Sequence, residues 1–475
     1  MSLKSFLTFL LFTGLLAIYI ISNISCANIV PPGGGPRDSL PPVLVSAVPE
    51  DSAINSTQQK VSITFDEYIE LKNANEKILI SPFPSKQPLI ESKLRTVTIR
   101  LKDSLLPNTT YSIDFGDAIV DLNEGNVLKN FRYTFSTGNK IDSNELTGKV
   151  LLAETGKTDS TMFALLYTKE EDSTVAKELP KYVARLDSEG KFRFTNLPEG
   201  RFYLYALKDE DGNKKYSQPI EQFAFLDSPI IISASTKPVT LYAFAAEKEK
   251  PRATTIVTPK GTTIRTLLYT SNLENSTQDF QDSFKLSYQK PIKQFDSSKI
   301  RLYIDSNTIV NDVKIKNDTT NKKLILFTAW KPGSTYHLFL DKDYAADTSG
   351  LTAARNDTIT FRVKSEKEYG SVRLRFKNID TSKHPVLMFY SNDKLFASYP
   401  INGKEWYSKL FKPGNYQFAI LYDTNQNGVW DAGDYFNKKK RQPEVVQNLT
   451  NTISVRDNWD NELLIDLGLQ ELPKK

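Results

Sequence analysis

Short runs of alternating apolar and polar residues, each cut off by turn residues, constrain this chain more than any other feature. Val61-Ser62-Ile63-Thr64-Phe65 is one such run and Thr96-Val97-Thr98-Ile99-Arg100-Leu101 is another. Phe131-Arg132-Tyr133-Thr134-Phe135, Arg301-Leu302-Tyr303-Ile304 and Val372-Arg373-Leu374-Arg375-Phe376 follow the same rule. A period of two sends successive side chains to opposite faces of a strand, one buried and one wet. Turn residues recur at about 8–12 positions, and no long 3.6-residue period competes. The pattern predicts an all-β chain of sandwiches.

Composition sets the scale and removes whole classes of chemistry. At roughly 100–150 residues per domain, 475 residues make about three or four domains. Hydrophobic residues are 39% and aromatics 11%, enough for several cores. The net charge of +5 is small for this length, and no basic stripe with interleaved aromatics occurs, so no nucleic-acid partner is expected. Histidine occurs only at His337 and His384, and cysteine only at Cys26. A Cys/His nucleophile pair and a Cys/His zinc site therefore lack residues, and no intrachain disulfide can form. G-x-S-x-G, H-E-x-x-H and P-loop patterns are missing too.

Residues 5–21, SFLTFLLFTGLLAIYII, follow Lys4 and fit the apolar region of a secretory signal peptide over 1–25. Ser25-Cys26 closes the run and resembles a bacterial lipobox, although Asn23 stands where that family usually has leucine. The resemblance implies that Cys26 is lipidated and becomes the first mature residue. A plain signal peptide or anchor helix with an incidental cysteine is the alternative. Pro31-Pro32-Gly33-Gly34-Gly35-Pro36 and Pro41-Pro42 make 26–42 a tether that cannot pack a core. The opening CANIVPPGGGPRDSLPP resembles envelope lipoproteins of Bacteroidota, which implies an outer-membrane protein held by its lipid. No acidic run follows Cys26, and this leans towards the periplasmic face. Asp-Ser/Thr triplets with acceptors Ser39, Ser52, Ser104, Ser160, Ser173, Thr319 and Thr358 resemble the O-glycosylation signal of that phylum; chance in an Asp- and Ser-rich chain is the alternative.

Two kinds of module alternate. Residues 43–138 contain Val61-Ser62-Ile63-Thr64-Phe65-Asp66-Glu67, Leu106-Pro107-Asn108-Thr109-Thr110-Tyr111 and Asp121-Leu122-Asn123-Glu124-Gly125, and they resemble bacterial Ig-like modules of SbsA-type S-layer proteins. A degenerate copy over 255–365 has Lys331-Pro332-Gly333-Ser334-Thr335-Tyr336 and Asp347-Thr348-Ser349-Gly350. The second kind covers 145–247 and 368–470. Leu197-Pro198-Glu199-Gly200-Arg201-Phe202-Tyr203 in one matches Phe411-Lys412-Pro413-Gly414-Asn415-Tyr416-Gln417 in the other, and both resemble transthyretin-like (prealbumin-like) modules of the carboxypeptidase-regulatory type. The expectation is an elongated multidomain chain of tandem Ig-like and prealbumin-like β-sandwiches, built by duplicating a two-module unit.

One stretch carries metal chemistry. From Asp423 to Asp434 the oxygen side chains of Asp423, Asn425, Asn427, Asp431 and Asp434 fall at positions 1, 3, 5, 9 and 12, with Gly428 at 6. This is the spacing of a twelve-residue calcium loop, in which the Val429 carbonyl would serve at position 7. Hard oxygen donors suit Ca²⁺ in a structural role. An Asx-rich turn without metal is the alternative. The earlier copy, Asp209-Glu210-Asp211-Gly212-Asn213-Lys214, has lysine at position 6 and reads as a vestigial turn.

Other features are plainer. Lys438-Lys439-Lys440-Arg441 reads as a solvated loop, and Asp66-Glu67 and Glu170-Glu171-Asp172 as acidic turns. Trp330, Trp406, Trp430 and Trp459 are scattered and read mostly as packing residues. The leading function is a non-enzymatic structural or accessory subunit of the cell envelope, with envelope or outer-membrane proteins as partners. A carbohydrate-binding lipoprotein using Trp406 and Trp430 is the alternative; exposed rings would favour it and buried rings oppose it.

Overall fold

The computed structural model describes residues 3–22, 38–247, 266–305, 308–436 and 439–468. Cys26 and Lys438 lie outside them, as do most of the tether and the first residues of the 255–365 segment. Residues Leu3–Ser22 form an α-helix. Among the described residues no helix is long and apolar enough to cross a membrane. The regular structure is otherwise almost entirely β-strand, as the alternation predicts. It divides into two compact units, Met1–Asp142 and Ser143–Lys475.

The first unit holds one sandwich. Strands Leu44–Val48, Lys60–Phe65, Thr96–Arg100 and Leu89–Lys93 form an antiparallel sheet in that order. Opposite it lie Arg132–Ser136, Thr110–Asp114 and Leu79–Ser81. The alternation is visible in the packing: Val61, Ile63, Phe65, Val97 and Ile99 are buried with Ile113, Tyr133 and Phe135 from the facing sheet. The Leu106 N–H donates to the Tyr111 hydroxyl at 2.8 Å, and Tyr111 stacks on Phe135 at 5.1 Å.

The second unit begins with a different topology. Strands Lys191–Leu197, Asn144–Leu152 and Val239–Ala243 form one sheet, in which the last pair is parallel. Tyr182–Arg185, Phe163–Tyr167 and Gly200–Leu207 form the other, with Phe223–Phe225 and Ile230–Ile232 both pairing the Gly200 strand. The module that ends the unit has the same arrangement. Glu405–Phe411, Gly370–Lys377 and Asp460–Asp466 again end in a parallel pair. Lys394–Pro400, Pro385–Ser391, Gly414–Tyr422 and Val445–Val455 face them.

Between these two sits a sandwich that repeats the packing of the first unit. Phe284, Leu286 and Tyr288 are buried at the spacing of Val61, Ile63 and Phe65. The Lys331 N–H donates to the Tyr336 hydroxyl at 2.9 Å, and Tyr336 stacks on Phe361 at 5.9 Å. In both sandwiches the turn before the tyrosine has a residue at positive φ, Asn108 at 48° and Gly333 at 79°. Both also bury an aspartate that accepts backbone N–H groups of its own loop, Asp121 and Asp347.

Within the second unit the last module docks on the first. Strand Gly414–Tyr422 buries both faces: Phe418 and Ile420 point into its own core, while Ala419 and Leu421 join Val386, Met388 and Val446 in a separate buried cluster. The Val446 N–H donates to the Ala153 carbonyl of the neighbouring module at 2.8 Å. Gly156, at φ 65°, lets the backbones meet there, since a Cβ would come within 2.5 Å of the Val446 carbonyl.

Candidate functional site

The twelve-residue loop starts at the end of strand Gly414–Tyr422, where Asp423 is buried. Its carboxylate winds the backbone around itself. Oδ1 accepts from the N–H groups of Gln426 at 2.7 Å and Asn427 at 3.3 Å, and Oδ2 from Gly428 at 2.7 Å. Asn425 and Asn427 each fold back on the chain two residues ahead: their Oδ1 atoms accept from Asn427 N at 3.0 Å and Val429 N at 2.7 Å. Gln426 and Gly428 take positive φ, 61° and 77°, to allow this. Both asparagine amides converge on Asp431 Oδ2, at 2.6 and 2.7 Å.

Two further residues singled out from spacing border that cluster. Val429 is exposed and contributes its N–H to Asn427. Asp434 exchanges both backbone hydrogen bonds with Arg441, each 2.8 Å, at the base of a projecting arm. A residue not singled out from the sequence closes the loop. The buried Glu444 accepts from Thr424 N at 2.7 Å and Thr424 Oγ at 2.9 Å through Oε1, and from Asp431 N at 3.1 Å through Oε2. Its only sequence signal is a carboxylate immediately before an apolar strand.

The donor set is two carboxylates and two side-chain amides gathered in one loop. These are hard oxygens of the kind Ca²⁺ takes, and nothing in the set suits a soft metal. Among the described residues no three His, Cys, Asp or Glu side chains stand together as a metal cluster. An ion would therefore depend on the amide oxygens of Asn425 and Asn427 as well as on Asp423 and Asp431.

The earlier loop, read from sequence as a vestigial turn, shares several of these bonds. Asp211 and Asn213 accept from Asn213 N at 3.1 Å and Lys215 N at 2.6 Å. Ser217 stands where Asp431 does and donates to Asp211 Oδ2 at 3.1 Å. The buried Glu221 accepts from Ser217 N at 2.9 Å, as Glu444 does from Asp431 N. Lys214, at φ 58°, takes the place of Gly428.

The described residues between Asp431 and Glu444 form an arm that joins the two modules. Tyr435 is buried against Tyr205, Phe223 and Phe225, at centroid distances of 5.8, 5.1 and 5.0 Å. Its hydroxyl meets that of Tyr205 at 3.1 Å. Burial drives the Tyr435 phenol well above its ordinary pKa, and burial beside Glu221 and Asp434 pushes Tyr216 up to about 12. Phe436 stacks on Tyr216 at 5.5 Å, and Gln442 Nε2 donates to the Phe225 carbonyl at 3.1 Å and Asp227 Oδ1 at 2.9 Å. Lys440, expected to be a solvated residue, pairs with Asp172 and lies over the Tyr435 ring. Gly433 is required where the arm passes the Phe244 ring, 2.6 Å from where a Cβ would be.

Trp406 packs among Phe389, Tyr399 and Phe411. Trp430 is half-buried and donates from Nε1 to the Glu444 carbonyl at 2.7 Å. Both rings are partly buried and packed against a core cluster.

Residues 38–137 match the sequence family described as the bacterial Ig-like domain. The first sandwich is a bacterial Ig-like domain. Comparison with curated proteins returns no match. Among solved structures, the Bacillus anthracis TIE protein aligns at 12% identity over 92% of this chain and 76% of that one, with a TM-score of 0.17. BcpA, the major pilin subunit of Bacillus cereus, aligns at 14% identity over 69% of this chain and 99% of its own, with a TM-score of 0.16. The N-terminal part of the bacterial S-layer protein SbsC aligns at 16% identity over 35% of this chain and 40% of that one, also with a TM-score of 0.16. Superpositions at this level carry no functional information, so function has to be argued from this chain's own residues.

Proposed function

We propose that the chain is a non-enzymatic structural or accessory subunit of the cell envelope, held to the outer membrane by lipid on Cys26 and facing the periplasm. The observation that supports a structural role best is the Tyr435 arm. A string of independent sandwiches would bend at each linker. Here an aromatic side chain of the last module is buried in a neighbouring one, and both faces of a central strand are covered. Interlocking of this kind maintains the spacing and orientation of the surfaces that the modules present to a partner.

In the same reading, Asp423, Asn425, Asn427 and Asp431 hold a structural Ca²⁺, with Glu444 fixing the far end of the loop. The ion would supply charge neutralisation and cross-linking of the loop. The chain's own residues then set where the arm leaves the module, because Asp431 and Glu444 border it. The expected partners are envelope or outer-membrane proteins docking on exposed sandwich edges and end loops.

Metabolic labelling with an alkyne-tagged fatty acid tests the anchor. The wild-type chain should incorporate label and sediment with membranes, and Cys26→Ser should lose the label. An unlabelled wild-type chain in the soluble fraction would contradict the anchor.

A further inference from the structure

We infer that the second-unit loop beginning at Asp209 holds its cation covalently: the Lys214 ammonium does there what a calcium ion does in the Asp423 loop. This rests on the calcium reading for Asp423–Asp434 and adds a division of labour between two copies of one scaffold. The earlier copy is independent of metal and the later one responds to it.

Three observations converge on Lys214. First, the scaffolds match at positions 1, 3, 5 and 9 and at the closing glutamate, so position 6 can be compared directly. Position 6 takes positive φ in both, 58° for Lys214 and 77° for Gly428. Glycine occupies such a conformation freely and lysine does not, so a lysine there needs compensation. Second, the compensation is visible. Lys214 Nζ lies 2.5 Å from Asp209 Oδ2, and both side chains are largely withdrawn from water, at 18% and 1% exposure. The Lys214 N–H donates to Asp209 Oδ1 at 2.9 Å, so one residue satisfies both oxygens. Third, the surroundings have changed with the lysine. The ammonium sits 4.3 Å from the centroid of the Phe163 ring, a cation–π contact. Phe163 pairs with Leu207 just as Val386 pairs with Leu421 in the other copy. The metal-type loop thus has valine where the lysine-type loop has an aromatic ring to receive a cation.

A buried carboxylate at position 1 is stabilised further by positive charge beside it. The Asp209 loop carries that charge on its own chain. In the Asp423 loop the same position is Gly428, a residue with no side chain and with open space around the site of a Cβ. The Asp423 loop therefore brings no cation of its own at this position.

The test is calorimetric titration of Ca²⁺ into the chelator-stripped full chain in detergent, with far-UV circular dichroism to confirm folding. Wild type should take up one ion, Lys214→Gly two, and Gly428→Lys none. A folded Lys214→Gly chain that binds no more Ca²⁺ than wild type would overturn the inference. If wild type binds none but Lys214→Gly gains one, the Lys214 inference stands and the calcium reading of the Asp423 loop fails. Should Lys214→Gly not fold, Lys214→Met and Lys214→Arg decide the matter by thermal unfolding. The inference expects Met to lower the transition temperature with or without Ca²⁺ and Arg to restore most of it. Met unfolding at the wild-type temperature would overturn it.

Discussion

The hydroxyls of Tyr205 and Tyr435, 230 residues apart in sequence, meet at 3.1 Å in a buried aromatic cluster. This contact joins two modules of like topology, and it makes the arm from Asp431 to Glu444 a mechanical element.

Truncating the tyrosine should therefore uncouple the modules. Tyr435→Ala removes a large buried ring, a change that costs about 3–5 kcal/mol for aromatic residues. Chemical unfolding should change from one transition of the second unit to two. Tyr435→Phe loses only the hydroxyl contact and should cost about 1 kcal/mol while leaving the transition single.

The corner tyrosines make a second, smaller prediction. Tyr111 and Tyr336 each accept a backbone N–H from the residue five positions earlier. Tyr111→Phe and Tyr336→Phe should each lower stability by about 1 kcal/mol or somewhat more, because the N–H is left without its partner. Urea midpoints measure this, and equal losses would fit the matched geometry of the two sandwiches.

Acid should loosen the junction before the last module. Glu368 accepts two hydrogen bonds from Arg362, at 2.6 and 2.7 Å, and one from Ser365 N, and the Arg362 contact is the main reason its carboxyl is lowered to about 2. The folded pKa is below the unfolded one, so the pair stabilises above the unfolded value near 4.5 and loses that effect as pH falls through about 2. Both side chains are about a third exposed or more, so screening limits the effect to about 1 kcal/mol or less. Glu368→Gln should be less stable than wild type at pH 7, with the gap closing as pH falls through and below about 2. A gap that stays constant with pH would contradict this.

Much of the fold can be read from the residues, and the parts that cannot have identifiable physical reasons. Alternation from Val61 to Phe65 reports a strand with one wet face, and the Pro-x-x-x-Tyr spacing at Tyr111 and Tyr336 reports a local corner. Both are short-range signals. The docking of the two like-topology modules is also written in the sequence, in the unbroken apolar runs Ala419-Ile420-Leu421-Tyr422 and Leu204-Tyr205-Ala206-Leu207. Such runs mean burial on both faces but do not say against what. Within the loop, Asp423, Asn425, Asn427 and Asp431 share a cluster because their bonds span few residues. Glu444 joins them from twenty-one residues away through the strand pairing of Leu421 with Val446, which spacing alone cannot give. Lys214 is hidden for the opposite reason: in sequence it looks like a lost glycine, and only its position beside Asp209 shows a cation gained.

Calcium removal should act locally. If the Asp423 loop binds at about 10⁻⁴ M, as extracellular calcium modules do, Ca²⁺ at about 10 mM should stabilise by about 2–3 kcal/mol. Asp431→Ala should abolish that gain, and Asp209→Ala should leave it intact while lowering stability by itself. Thermal melts with Ca²⁺ and with chelator measure both.

The most direct test of an accessory role in the envelope is purification of the lipidated full chain from gently solubilised membranes after mild cross-linking, followed by quantification of what remains bound. The account predicts an outer-membrane or envelope protein in near-stoichiometric amount, lost or weakened in Tyr435→Ala. A chain that comes out of the membrane fraction alone, with the wild type and Tyr435→Ala giving the same result, would contradict it.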